Sequence, residues 1–182
     1  MANRAEPILE KFARDAAVNP DRPLYNFLDC ERTPFGQKPV TIGQAWQHAR
    51  DLAEALRAKG AKPGDRAIIL CMQDEGTVNA VWGCMIAGVV FTVIPPPIDA
   101  GKLARFISVL KSCRPKFLIS NEGLEKGSGT DVKGDLLRGA FLNVVSLRRI
   151  YTDKIPPAPN PAPPMRHGDG DLVYLQYTSG ST

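Results

Sequence analysis

Residues Thr178-Ser179-Gly180-Ser181-Thr182 hold the pattern in this chain best suited to chemistry. All are small, and all but Gly180 carry a hydroxyl. A turn of that composition can close around an anion. Successive backbone N–H groups form a concavity for phosphate oxygens, and the hydroxyls add further donors. The run before it, Leu172, Val173, Tyr174, Leu175 and Tyr177, is apolar and β-prone. A strand that delivers a hydroxyl-rich turn is a phosphate-site design, which points to nucleotide chemistry. The turn is not a Walker A motif, which needs G-x-x-x-x-G-K-[ST]. Composition alone leaves a plain Ser/Thr-rich surface turn open as the alternative. Gly127-Ser128-Gly129-Thr130 is a weaker version of the pattern. Its flanks, Glu125, Lys126 and Asp131, are charged and no strong strand leads into it, so a surface loop is expected there.

The elements that must position Thr178 read as follows. A helix from about Glu6 to Ala17 places Ile8, Leu9, Phe12 and Ala16 on one face. Alternation over Leu24–Asp29 and a short strand around Val40 predict an edge hairpin. Thr41 and Gln44 form a capping-box pattern, and Ala45, Ala49, Leu52, Ala53 and Leu56 make the apolar face of the helix that follows. Then come a strand at Arg66–Cys71, a helix capped by Asp74 and stopped by Gly88, and a strand at Val89–Ile94. A helix carries Leu103, Phe106, Ile107 and Leu110 and stops at Arg114-Pro115. Further strands are expected at Lys116–Ser120 and Asn143–Leu147, with a loop and a short helix between. Strand-length apolar runs alternating with helical patterns predict an α/β fold: a mostly parallel sheet of βαβ units with flanking helices. Residues 155–164 hold six prolines in ten positions, which favours an extended path. An SH3-type ligand is one reading of it and a surface crossover between strands the other.

Composition excludes several classes. The chain has 182 residues, of which 43% are hydrophobic and 23% charged, as in an ordinary globular domain. The net charge of +4 is spread, with no basic block, so no nucleic-acid partner is expected. Cys30, Cys71, Cys84 and Cys113 are widely spaced and only His48 and His167 are present, so neither a metal site nor a disulfide framework is expected. The charged amino terminus lacks a secretory core, which makes a cytoplasmic location the default. Residues Gly76 to Ile94 are nearly uncharged and approach the length of a membrane span. A helix capped by Asp74, a stop at Gly88 and a β-branched strand ended by Pro95 are the favoured account of them, so no span is expected.

The string YTSGST resembles the phosphate-binding loop of the acyl-adenylate-forming enzymes: acyl-CoA synthetases, adenylation domains of nonribosomal peptide synthetases, and fatty acyl-AMP ligases. LQYTSGST and the proline run Pro95–Pro97 look most like the fatty acyl-AMP ligase branch. LRAKGAKPGDRAIILC, VWGCMIAGVVFTVIPPP and GKLARFISVLKSCRPKFLIS resemble, in this order, the opening of the family's large amino-terminal domain. One departure is Ala87-Gly88-Val89 where family chains often have Ala-Gly-Ala. The resemblance implies an ATP-dependent ligase (an AMP-dependent synthetase) that makes an acyl adenylate, with a fatty acid as the expected substrate. The acyl group would pass to a phosphopantetheine thiol on an acyl or peptidyl carrier protein or on CoA. It implies Mg²⁺ with the ATP, and an ATP phosphate-binding role for Thr178, Ser179, Gly180, Ser181 and Thr182. Amino-acid activation, acyl-CoA synthesis and a non-catalytic interaction role remain as alternatives.

The resemblance further implies that residues 1–182 are the amino-terminal portion of an adenylation (AMP-binding) domain. It leaves about 155–164 as a connection, with no complete second domain and no identifiable catalytic residue. The expected outcome is that the 182-residue chain alone gives no carboxylate-dependent ATP–pyrophosphate exchange. Exchange above a heat-treated control would contradict it.

Overall fold

The computed structural model describes residues 6–29, 34, 36–70, 74–97, 99–126 and 132–178. It contains helices α1 (Ile8–Val18), α2 (Ile42–Ala58), α3 (Glu75–Ala87), α4 (Ala100–Cys113), α5 (Glu122–Lys126) and α6 (Val132–Leu142). The strands are β1 (Pro23–Asp29), β2 (Gly36–Thr41), β3 (Arg66–Ile69), β4 (Val90–Val93), β5 (Phe117–Ser120) and β6 (Arg148–Tyr151). Strands β1 and β2 form the antiparallel hairpin that their alternation predicts. The other four build a parallel sheet in the order β4-β3-β5-β6. Tyr174 adds a parallel bridge to Phe91 on the outer side of β4. The fold is therefore the expected α/β arrangement, with the final segment lying beside β4.

Local chemistry sets the helix limits. Thr41 Oγ1 accepts from Gln44 N at 3.3 Å and Gln44 Oε1 accepts from Thr41 N at 2.9 Å, which closes the capping box of α2. Asp74 caps α3 by accepting from Thr77 N at 2.9 Å. Gly88 ends α3 with φ +72°, a left-handed conformation that a side chain disfavours. The uncharged stretch after Gly76 is thus a helix, a stop and a strand, and no helix among the described residues is long and apolar enough to cross a membrane.

Two cores cover the sheet. Leu52, Leu56, Ala67, Ile69, Ala80, Phe117 and Ile119 are buried on the face covered by α2 and α3. Ile68, Leu70, Phe106, Val109, Leu118 and Phe141 are buried on the face covered by α4 and α6. A third cluster joins α1 to the hairpin through Phe12, Val40 and Ile42. Cys84 and Cys113 are buried free thiols, and burial pushes the Cys84 thiol far above its ordinary range, so it packs as a small apolar group. Cys30, Cys71 and the 127–130 loop lie outside the described residues.

Two expectations need correction. Ile8 is 57% exposed, and only Leu9, Phe12 and Ala16 of the α1 face are buried. The strand expected at Asn143–Leu147 is a series of turns, with Val144 N bonded to Phe141 O and Leu147 N to Val144 O. The strand is β6, which begins directly after that run, where Arg148 N bonds Lys116 O at 3.0 Å. As an edge strand of sequence RRIY, β6 buries only Ile150, so its charge hid it from an apolar pattern.

Helices α2 and α3 approach closely at Gly83. A Cβ there would lie 2.5 Å from Leu52 Cδ2 and 3.0 Å from Ala49 O. Gly83→Ala should therefore destabilise the fold by about 1–2 kcal/mol, because overpacking outweighs the helix-propensity gain. Urea unfolding checks this, and a raised midpoint would contradict the packing.

Candidate functional site

Parallel strands all end on one edge of the sheet, and in open α/β sheets ligands bind outside that carboxyl edge. The final segment reaches the same edge, because Tyr174 pairs in parallel with β4. Phe91 N donates to Val173 O at 3.2 Å and Leu175 N to Phe91 O at 2.9 Å. The Phe91 and Tyr174 rings add a tilted contact with centroids 5.1 Å apart. Leu175 and Tyr177 pack against the α4–α6 core. Thr178, first of the expected phosphate-binding residues, follows directly and is exposed. Ser179, Gly180, Ser181 and Thr182 lie outside the described residues.

The chain just before Thr178 is held by α4. Arg105 Nη2 donates to Tyr177 O at 2.9 Å, and Tyr177 Oη donates to Ser112 Oγ at 3.1 Å. Sequence reasoning did not single out Arg105 or Ser112. Their spacing of two helical turns, which puts both on one face of α4, was the available signal.

The proline-rich segment is the other support. It runs along a polar stripe of α2. Asp51 Oδ1 accepts from Ala158 N at 2.8 Å, and Glu54 Oε1 accepts from Ala162 N at 3.1 Å. Arg50 donates to Pro161 O at 3.2 Å, and Arg57 Nη2 donates to Pro163 O at 3.1 Å. Arg57 Nη2 also reaches Ile86 O at 2.9 Å, and Met165 N donates to the same carbonyl at 2.9 Å. His167 Nε2 contacts Met85 O at 2.7 Å, and since a carbonyl only accepts, Nε2 carries the proton in this contact. The carbonyls of Met85 and Ile86, in the last turn of α3, thereby accept from the strap and from a cation, as a helix carboxyl terminus favours. Residues 158–163 thus lie along α2 through main-chain hydrogen bonds. Their main chain is already engaged, so a partner domain would have to lift it.

A second feature of the carboxyl edge is an open cleft of about 940 Å³ beyond β3, β5 and β6. Asp74, Gly76, Asn121, Thr152 and Asp153 line it, with Lys38 and His48 on the hairpin and α2 side. It lies between β3 and β5, where the strand order reverses. Its carboxylates are engaged locally. Asp74 caps α3, Asp153 accepts from Glu122 N at 2.9 Å, and Glu75 pairs with Lys38 and lies 3.1 Å from His48 Nδ1. Among the described residues no group of three His, Cys, Asp or Glu is placed to hold a metal.

Comparison with known proteins adds to this geometry. The profile of the AMP-binding enzyme family matches residues 12–182. A long-chain-fatty-acid–AMP ligase of Mycolicibacterium smegmatis is 31% identical over 96% of this chain and 27% of its own length. A 4-hydroxyphenylalkanoate adenylyltransferase of Mycobacterium marinum is 28% identical over 92% of this chain and 26% of its own. The chain thus spans about a quarter of the length of the curated relatives it matches. The solved fatty acyl-adenylate ligase of L. pneumophila, in complex with acyl adenylate and pyrophosphate, shares the fold. Its TM-score is 0.77 at 24% identity, over 98% of this chain and 29% of that one.

Removing the strap's central cation tests this architecture. Arg57→Ala should cost about 2–3 kcal/mol, the range for hydrogen bonds to a charged group, and should speed hydrogen exchange at Ala158, Ala162 and Met165. Arg57→Lys should recover less than half, because one ammonium cannot replace both Nη2, on Ile86 O and Pro163 O, and Nη1, on Glu54 and Ala162 O. Unchanged exchange at these amides would show that the strap is held by other contacts.

Proposed function

The chain belongs to the AMP-binding enzyme family, and from that premise we propose that the whole protein is a cytoplasmic ligase activating a fatty acid as its acyl adenylate. The substrate carboxylate attacks the α-phosphorus of ATP. The bond from that phosphorus to the β-bridging oxygen breaks, and pyrophosphate leaves with the electron pair. A phosphopantetheine thiolate, on a carrier protein or CoA, then attacks the acyl carbonyl and AMP departs. Mg²⁺ enters with ATP as part of the substrate.

In this reading Thr178 to Thr182 hold the β- and γ-phosphates and orient them as the leaving group. Backbone N–H groups around Ser179-Gly180-Ser181 and the four hydroxyls are the donors. Gly180 lets the main chain approach the phosphates closely. This is catalysis by positioning and charge stabilisation, which needs no acid or base from the loop itself. The observation that carries the proposal is the family match over residues 12–182, which takes in all five loop residues. The exposure of Thr178 at the sheet's carboxyl edge supports it.

The fatty chain is favoured by the mycobacterial relative named for a long-chain fatty acid. An aryl acid is the second reading, favoured by the relative named for 4-hydroxyphenylalkanoate. Offering fatty, aryl and amino acids with ATP to the full-length protein, and detecting adenylates by mass spectrometry, separates them. Fatty acyl-AMP is the expected product. Adenylates from aryl or amino acids alone would overturn the fatty-acid assignment, and none from any acid would favour a non-catalytic role. Ser179→Ala with Ser181→Ala should slow adenylate formation about 100-fold or more while leaving thermal stability unchanged. An unaltered rate and ATP requirement in that variant would remove the loop from the site.

A further inference from the structure

We propose that Arg105 is a positioning residue for the phosphate loop: its guanidinium fixes the main chain one residue before Thr178 and offers a cation to the phosphates. The proposal rests on the reading of Thr178 to Thr182 as the ATP phosphate loop.

The grip on Tyr177 has two points. Arg105 takes its backbone carbonyl at 2.9 Å, and Ser112 takes its ring hydroxyl at 3.1 Å. The ring between them packs on the α4–α6 core. Helix α4 is itself anchored by buried Phe106, Val109 and Cys113, so the grip is referred to the core rather than to another loop. The grip also falls where the sheet lets go. Leu175 N to Phe91 O is the last hydrogen bond from the final segment to β4 among the described residues. Beyond it, Arg105 donates to the main chain at Tyr177 O.

The residue type matters. A guanidinium has five N–H donors in a rigid fork, and one is used on Tyr177 O. Arg105 has no second hydrogen-bond partner or ion pair among the described residues. Thr178 Cα follows Tyr177 Cα by about 3.8 Å, so the remaining donors stand next to the start of the hydroxyl-rich turn. A triphosphate held by neutral N–H and hydroxyl groups gains from a fixed cation, since charge-assisted bonds are about twice as strong as neutral ones. The half-buried setting pre-orients that cation.

The test uses full-length protein with Arg105→Ala and Arg105→Lys. Hydrogen exchange over 172–178 should quicken about tenfold in Arg105→Ala and stay unchanged in β3 and β5. The KM for ATP should rise about tenfold while the KM for the fatty acid stays within twofold. Arg105→Lys, which keeps one donor and the charge, should restore protection and recover the ATP KM in part. Unchanged exchange in Arg105→Ala would overturn the positioning role whatever the protein's activity. An equal change in both KM values would also overturn it, because that marks a diffuse structural defect. If the wild type forms no adenylate from any carboxylate, the loop reading fails and the phosphate half of the proposal with it. The exchange result alone then decides whether Arg105 holds the chain.

Discussion

One helix, α2, carries both the core of one sheet face and the proline-rich strap. The apolar face of α2 packs Ala49, Leu52, Ala53 and Leu56 against the sheet and α3, with Gly83 letting the two helices close to van der Waals contact. Its polar stripe, Asp51, Glu54 and Arg57, holds the main chain of the strap. Because Arg57 joins Ile86 O of α3 to Pro163 O of the strap, the helix pair and the strap share a donor. The position of the final segment, which pairs with β4 at Tyr174 and leads to Thr178, therefore depends on how α2 and α3 pack, although α2 lies far from it in sequence.

Proline suits the strap for a physical reason. A ten-residue extended segment ordinarily presents a row of N–H donors that must be satisfied, but prolines remove most of them. Two of those left, on Ala158 and Ala162, meet the carboxylates of Asp51 and Glu54. Proline also stiffens the unbound chain, so less conformational entropy is lost when the segment is laid on α2. Composition announced an extended path. It could not announce where the path runs, because the contacts join residues more than a hundred positions apart.

The same distinction explains what else was legible. Caps are local, so Thr41 with Gln44, Asp74 and Gly88 were readable as helix limits. The buried strands β3, β4 and β5 were readable because both faces are covered and their sequences are apolar throughout. Edge strand β6 was misplaced by the same rule: RRIY carries charges where the apolar Val144 and Val145 drew the expectation upstream, yet Val145 is 64% exposed. For the candidate site, the five loop residues were visible as a hydroxyl-rich string. Arg105, Ser112 and Arg57 were not, since lone cations and hydroxyls on helix faces are common, and only the fold brings them to Tyr177 and the strap.

Charge divides the carboxyl edge into two regions. On the side of β3, β5 and β6, the cleft holds Asp74, Glu75 and Asp153 against Lys38 and His48, a net acidic lining that repels an anion. On the far side of β4, the final segment ends at Thr178, next to Tyr177, whose carbonyl accepts from Arg105. Strands lie about 4.8 Å apart, so the final segment and β5 are separated by roughly 14 Å, beyond a Debye length at physiological salt. Salt therefore largely screens the end of the final segment from the acidic cleft.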